Sequence, residues 1–279
     1  MFPPRYLLLI PILVICYVGP AFNQQTAGTQ QLASEEGQEL AKRLANPLAS
    51  LISFPFQSNF DFKMGTRGDG FRYTLNIQPI IPFALSKDWN IISRSIVPVI
   101  AQKDVVSPGS SQFGLGDTSE SLYLSPSKTD PFIWGIGPQF LIPTGTSNYL
   151  SSRKFAMGPA FIILKQISHW TVGALANHTW SVAGSDSHPP VNRTFLQPFV
   201  SYHTKKAWTF SLNTESSYDW RSDKRPWSVP IHATVAKLTR FTGHPVNIGA
   251  SLRCWAATTL IGPQGCGIRL VVTPLFPKK

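Results

Sequence analysis

The sequence predicts an all-β fold: an up-and-down antiparallel transmembrane β-barrel of about twelve strands, with a short N-terminal helical segment. Three observations predict it. From Asn59 onward the hydrophobic period is two, in twelve segments that are mostly 11–14 residues long. Such segments exceed the usual soluble strand of about 5–6 residues and reach the roughly 9–11 needed to cross a bilayer at a tilt. Short and long connections alternate between them, as in barrels with tight turns at one rim and loops at the other. Finally, charged residues make up only 14% of the 279-residue chain and apolar residues 43%, where an average soluble domain is ~25% charged. A strand with one lipid-facing and one polar face has that composition.

The elements follow in order. Arg5 precedes the apolar run Tyr6 to Val18, and Gly19-Pro20-Ala21 supplies small residues for cleavage. Residues 1–21 therefore read as a secretory signal peptide, too short to span a membrane. Cys16 leaves with it; a lipid anchor there would want a small residue where Ile15 stands. After residue 21 no stretch approaches 18 apolar residues, so the sequence offers no transmembrane helix. An exported β-rich chain is then a closed barrel or a soluble β-domain. Residues 22–33 are polar and low in complexity and read as a disordered leader. Residues 34–53, "SEEGQELAKRLANPLASLIS", predict a helix. Ser34, Glu35 and Glu36 suit its start, Leu40 and Leu44 share a face, and Pro47 stops it. Asn46-Pro47 suits the start of a second short helix over 48–52. Residues 22–57 thus form a leader with short helices, a possible plug, and 58–279 form the barrel.

The predicted strands are 58–65, 71–84, 89–101, 114–125, 131–143, 154–165, 169–182, 192–203, 206–217, 227–239, 245–257 and 265–276. Their alternation assigns faces. Tyr73, Leu75, Ile77, Pro79, Ile81 and Phe83 oppose Arg72, Thr74, Asn76 and Gln78. Trp208, Phe210 and Leu212 oppose Thr209, Ser211 and Asn213, while Ile268, Leu270 and Val272 oppose Arg269 and Thr273. The third strand is less clear, because Ser93 and Ser95 fall on its apolar face. A barrel turns the apolar face to lipid and the polar face to the lumen. Trp89, Trp134, Trp170, Trp180, Trp208, Trp227 and Trp255 stand near strand ends, as girdle residues do. Two strands carry the same motif, Gly137-Pro138-Gln139-Phe140 and Gly158-Pro159-Ala160-Phe161. The period passes through both prolines, so each strand survives; a bulge or one missing ladder bond would accommodate each, and the expectation is a lost ladder bond relieved by a β-bulge.

Seven stretches carry a family resemblance: 40–62, "QPIIPF" (78–83), "GLGDTSESLYLSP" (114–126), "WGIGPQFLIPTGT" (134–146), "FAMGPAFI" (155–162), "FLQPFVSYHT" (195–204) and "GIRLVVTPLFPK" (267–278). In this order they resemble a family of Gram-negative outer-membrane β-barrels described as transporters and often mislabelled as neuromedin U. That family is related to the barrel group named for the meta-pathway of phenol degradation. The resemblance implies an outer-membrane barrel and, more weakly, transport of an undefined substrate. One departure is the end of the chain, where Pro277-Lys278-Lys279 follow Phe276.

The chain is basic, with 25 Lys and Arg, one of them Arg5 in the leader, against 14 Asp and Glu. Arg72, Arg94, Glu215, Arg253 and Arg269 fall in lumen phase and are the candidate lumen-lining residues. The arginines either attract anions, as basic rings do in pores, or pair with Asp61 or Glu215 to hold the interior together. Exposed Lys and Arg suit lipopolysaccharide phosphates. Cys254 and Cys266 straddle the last long connection. They can pair across that hairpin in an oxidising compartment, or stand as two unrelated thiols. No histidine lies at ligand spacing from them, so no metal and no cofactor is expected. No Gly-x-Ser-x-Gly or His-Glu-x-x-His marks an enzyme, and no motif calls for nucleic acid. The expected protein is a monomeric outer-membrane channel for small solutes, meeting lipid and lipopolysaccharide. The alternatives are a barrel enzyme acting on lipids and a structural barrel with a blocked lumen.

Overall fold

The computed structural model describes residues 27–128 and 131–277. The predicted signal peptide, Cys16 and the terminal Lys278-Lys279 lie outside the described residues. One helix, α1 (Ala27–Leu44), leads into a closed antiparallel barrel of twelve strands. In chain order these are β1 (Leu51–Ser53 and Phe56–Met64), β2 (Gly70–Ile77 and Ile80–Ala84), β3 (Trp89–Lys103), β4 (Ser111–Leu115 and Thr118–Pro126), β5 (Ile133–Ile142) and β6 (Lys154–Ile167). They continue with β7 (Trp170–Gly184), β8 (Asn192–His203), β9 (Trp208–Thr214 and Ser216–Asp219), β10 (Trp227–Phe241), β11 (His244–Ala257) and β12 (Cys266–Pro277). Each strand pairs with the next. Closure comes from β12 on β1, with Ile268 opposite Phe60 and Leu51 opposite Pro277. No sheet edge is left unpaired, which is what a barrel gains over an open sheet.

The alternation sorts the side chains as two-residue periodicity requires. Ile136, Phe161, Val172, Leu196, Phe210, Leu212, Ile231, Ile248, Leu252 and Leu270 stand exposed on the outer wall. Their sequence neighbours, such as Ala160, Ile162, Thr171, Ser251 and Arg269, are buried inside. Trp89 meets Trp134 edge-on at the tight-turn rim, with centroids 6.1 Å apart, and Trp170 and Trp208 stand at the same rim. Trp180, Trp220 and Trp227 belong to the long-loop rim. Trp255 leaves the girdle predicted for it. It turns inward, where the Arg253 guanidinium lies 4.9 Å from its ring centroid.

The helix starts at Ala27, not Ser34. Gln30, Gln31, Leu32 and Ala33 are adequate helix formers, so low complexity there does not stop the helix. The expected second helix over 48–52 is absent. Asn46 Oδ1 accepts from Leu48 N at 2.9 Å in a turn, and Leu51–Ser53 pair with Leu275–Pro277 instead. A backbone already bonded to the last strand has no groups left for a helix.

The Gly-Pro motifs also differ from expectation, since neither carries a bulge. Pro138 and Pro159 face each other directly across β5 and β6, in constant register. Two prolines cannot exchange N–H···O bonds, so theirs is a non-hydrogen-bonded pair and neither misses a donor on that side. Each nitrogen faces the far neighbour. There the pairing lapses for the proline and the glycine before it, then resumes in the same register: Ser121↔Gln139 and Leu124↔Ile136, then Trp180↔Met157 and Asn177↔Ala160. A Cβ on Gly137 would collide with the Leu122 carbonyl oxygen, and one on Gly158 with that of His178. Glycine is needed where a carbonyl without its proline donor leans in. Gln78-Pro79 and Gln197-Pro198 lapse in the same way. A register shift does occur at Val229/Pro230.

Candidate solute pathway in the barrel lumen

The lumen has three zones. At the tight-turn rim, α1 lies against the barrel mouth. Ala41 packs with Leu51, Ala207, Leu238 and Leu275, flanked by Leu40 and Leu44. Gln166 Nε2 donates to the Lys42 carbonyl at 2.7 Å, and Arg240 pairs with Glu36 at 3.2 Å. The turn after α1 drives Leu48 inside the wall, against Ile92, Tyr123, Ala160, Ile162, Leu164 and Leu175. Gly135 makes this possible, because a Cβ there would press on both Leu48 methyls. This end of the lumen is apolar and filled.

The second zone is a network of charges across β11, β12, β1 and the break in β9. Arg269 grips Glu215 with two bonds of 2.7 and 2.9 Å and donates from Nε to Asn59 Oδ1 at 2.6 Å. Arg253 Nη1 donates to Asp61 Oδ1 at 2.7 Å and to Asn59 Oδ1 at 3.1 Å. Asn59 thereby joins two arginines that would otherwise repel. Buried His232 sits 3.6 Å from Glu215 Oε2. Bidentate guanidinium–carboxylate geometry makes such pairs strong and directional. Arg72 Nε donates to Gln102 Oε1 at 2.7 Å, and Gln102 donates on to Gln112 at 2.8 Å.

The third zone is open. One cavity of about 220 Å³ is lined by Asn76, Ser119, Gln139, Asn177, Thr179 and Arg193 among others. A second, of about 280 Å³, reaches down to Leu44, Ala45 and Pro47 past Leu175 and Phe199. Both share Gln57, Gln78, Arg94, Gln197 and Glu215, so they meet at one layer. Of the three arginines lining them, Arg193 is held by Asp219 at 3.5 Å and Arg269 by Glu215. The Arg94 side chain makes no hydrogen bond or ion pair with another described residue.

All five candidate lumen residues lie on the inner face, but they divide. Arg253, Arg269 and Glu215 belong to one network, Arg72 to an amide chain, and Arg94 to the open layer. Cys254 and Cys266 are directly opposed on β11 and β12 and joined by a disulfide. Reading the sequence for charge passed over the amides Gln57, Gln197 and Asn59, although each stands in the polar phase of its strand, and it placed Gln78 on the lumen face without naming it a site residue. It also passed over Glu120 on the outer wall, which explains the two serines of β3. Ser93 Oγ donates to Glu120 Oε1 at 2.7 Å and Ser95 Oγ to Oε2.

No protein-family model matches the chain, and no curated protein matches it. Solved structures do. The COG4313 outer membrane channel from Pseudomonas putida F1 aligns with a TM-score of 0.61 at 13% identity, over 81% of this chain and 94% of that one. The NanC porin gives 0.47 at 10% identity, over 81% and 100%. Outer membrane phospholipase A from Escherichia coli gives 0.46 at 13% identity, over 81% and 90%. The first likeness shows a shared fold: this chain has the barrel architecture of that outer-membrane channel.

Proposed function

We propose that the chain is an outer-membrane channel for small solutes, exported by its N-terminal signal peptide. The observation that carries this is the lumen. Inside an apolar outer wall, two cavities lined in large part by polar side chains meet at one layer and are closed at the tight-turn end by the Leu48 turn, the wall residues packed on it and α1. The fold of the COG4313 channel and the motif resemblance to transporter barrels support the same reading. On it, the tight-turn rim is periplasmic, residues 27–50 form a plug, and the barrel works as a monomer in contact with lipid and lipopolysaccharide. Pore width and lumen charge set what passes.

Planar-bilayer recording of the full chain tests this. Discrete conductance steps are expected, and Leu48→Gly is expected to enlarge them by loosening the seal. Well-folded, inserted protein that never conducts, in either form, would overturn the channel. The barrel-enzyme alternative has a geometric foothold in adjacent Ser–His contacts, the shorter being that of Ser168 Oγ with His169 Nδ1 at 2.8 Å in the β6–β7 turn and the other that of Ser187 Oγ with His188 Nδ1 at 3.1 Å. Lipid hydrolysis that disappears in Ser168→Ala and His169→Ala would favour it.

A further inference from the structure

We propose that the layer where the two cavities meet is a binding site for small hydroxylated carboxylates, with Arg94 taking the carboxylate and Gln197, Gln57 and Gln78 taking hydroxyls. This rests on the channel reading and names the solute class that the pathway prefers.

The argument starts from what is left unbonded. The carboxylates Asp61 and Glu215 are matched by Arg253 and Arg269, so that network is close to neutral. Asp219 occupies Arg193. Arg94 remains as a full positive charge reaching both cavities with no counter-ion among the described residues. A guanidinium offers five N–H donors in a planar fork that fits a carboxylate bidentately. Between low-dielectric walls an anion feels such a charge more strongly than in water.

The amides supply the rest. Gln78 Nε2 donates to Gln57 Oε1 at 2.8 Å. This single bond fixes both groups and leaves the Gln57 NH₂ and the Gln78 oxygen for a ligand. The Gln197 side chain makes no hydrogen bond with another described residue. Its backbone, like that of Gln78, lies in one of the x-Pro pairing lapses, so the barrel's own proline steps bring two amides to this layer. Donors and acceptors side by side suit hydroxyls, which are both. A phosphate dianion would find one cation and several amide oxygens, a poorer match than a monoanion. The cavity volumes, about 220 and 280 Å³, fit a small solute rather than a chain of sugars.

The test uses the full chain refolded in detergent and two probes of nearly the same shape, glucuronate and glucose. Isothermal titration is expected to show glucuronate binding at least tenfold tighter than glucose. Arg94→Gln should abolish that preference, while Arg94→Lys should keep part of it. Gln197→Leu should weaken glucuronate severalfold with the preference intact. Equal binding of the two probes, unchanged glucuronate affinity in Arg94→Gln, or no binding to folded wild type would each overturn the site. Conductance recorded in parallel separates the two readings. A chain that binds glucuronate through Arg94 without conducting overturns the channel and keeps the site. One that conducts without binding it overturns the site and keeps the channel.

Discussion

The two walls of the lumen solve the same problem in opposite ways. On β9 to β12 and β1, every strong charge facing inward is matched. Arg269 and Arg253 are held by Glu215, Asp61 and Asn59, and the Cys254–Cys266 bond joins the same strands on the outer face. On β2 to β8, prolines interrupt the ladders, and beyond the apolar seal around Leu48 the inner surface is largely amide and hydroxyl, with Arg72 bonded to Gln102, Arg193 to Asp219, and the Arg94 side chain without a partner among the described residues. The first wall is stabilised by side chains binding each other. The second keeps donors and acceptors for something else. A lumen lined wholly in the first manner would be rigid and self-satisfied. One lined wholly in the second would leave many buried polar groups unpaired.

Breaking the matched wall is expected to have the largest effect. Glu215→Gln keeps the volume but removes the bidentate partner, leaving Arg269 with Asn59 alone. Removing one member of a buried pair costs about 3–5 kcal/mol, and because Glu215 retains some exposure, about 3 kcal/mol is expected here. Denaturant unfolding of the refolded protein reads it directly. A loss under about 1 kcal/mol would mean that the network lines the wall without holding it.

On the open wall the sensitive positions are backbone ones. Gly158→Ala is expected to cost about 2 kcal/mol, because the new methyl meets the His178 carbonyl and the strand must shift. Gly137→Ala should behave alike against Leu122. Alanine at Gly243, where a Cβ meets nothing within 4 Å, serves as the comparison for general strand-turn tolerance, although its positive φ adds a smaller cost of its own. If Gly158→Ala is no worse than Gly243→Ala, the carbonyl does not crowd the site and the lapse at Pro159 has another cause.

How much of this the sequence shows depends on the distance over which each feature is decided. Strand faces are decided locally, two residues at a time, so Arg72, Arg94, Arg253 and Arg269 can be assigned to the lumen by phase alone. The opposition of Cys254 and Cys266 follows from one hairpin. Which arginines are matched is decided far away: Arg253 meets Asp61 at a separation of 192 residues. No local pattern distinguishes it from Arg94. The proline lapses are of intermediate kind. That Pro138 breaks pairing is local chemistry, but whether the ladder resumes without a bulge is decided by the neighbouring strand, which the motif itself does not contain. Trp255 is misassigned because strand-end position predicts a girdle, whereas its phase, shared with Arg253, points inward. Leu48 is hidden for a simpler reason, since nothing in a short polar-apolar leader says which side chain enters the barrel.

The smallest expected effect draws the sharpest line between the walls. Arg94→Gln and Arg269→Gln make the same chemical change on the same kind of strand, yet they should part company in stability. Arg269→Gln strips Glu215 of both its bonds and frees Asn59, and should unfold the barrel at markedly lower denaturant. Arg94→Gln removes no hydrogen bond and no ion pair, and it takes an uncompensated cation out of a confined space. Its loss should lie within about 0.5 kcal/mol of zero, as for substitutions away from any named interaction, and a slight gain is the physically favoured sign. The two variants measured side by side by denaturant midpoint, at equal unfolding slope, make the comparison quantitative. A large loss in Arg94→Gln would mean that Arg94 is bound inside the protein, and the two walls would then differ only in which partners they use.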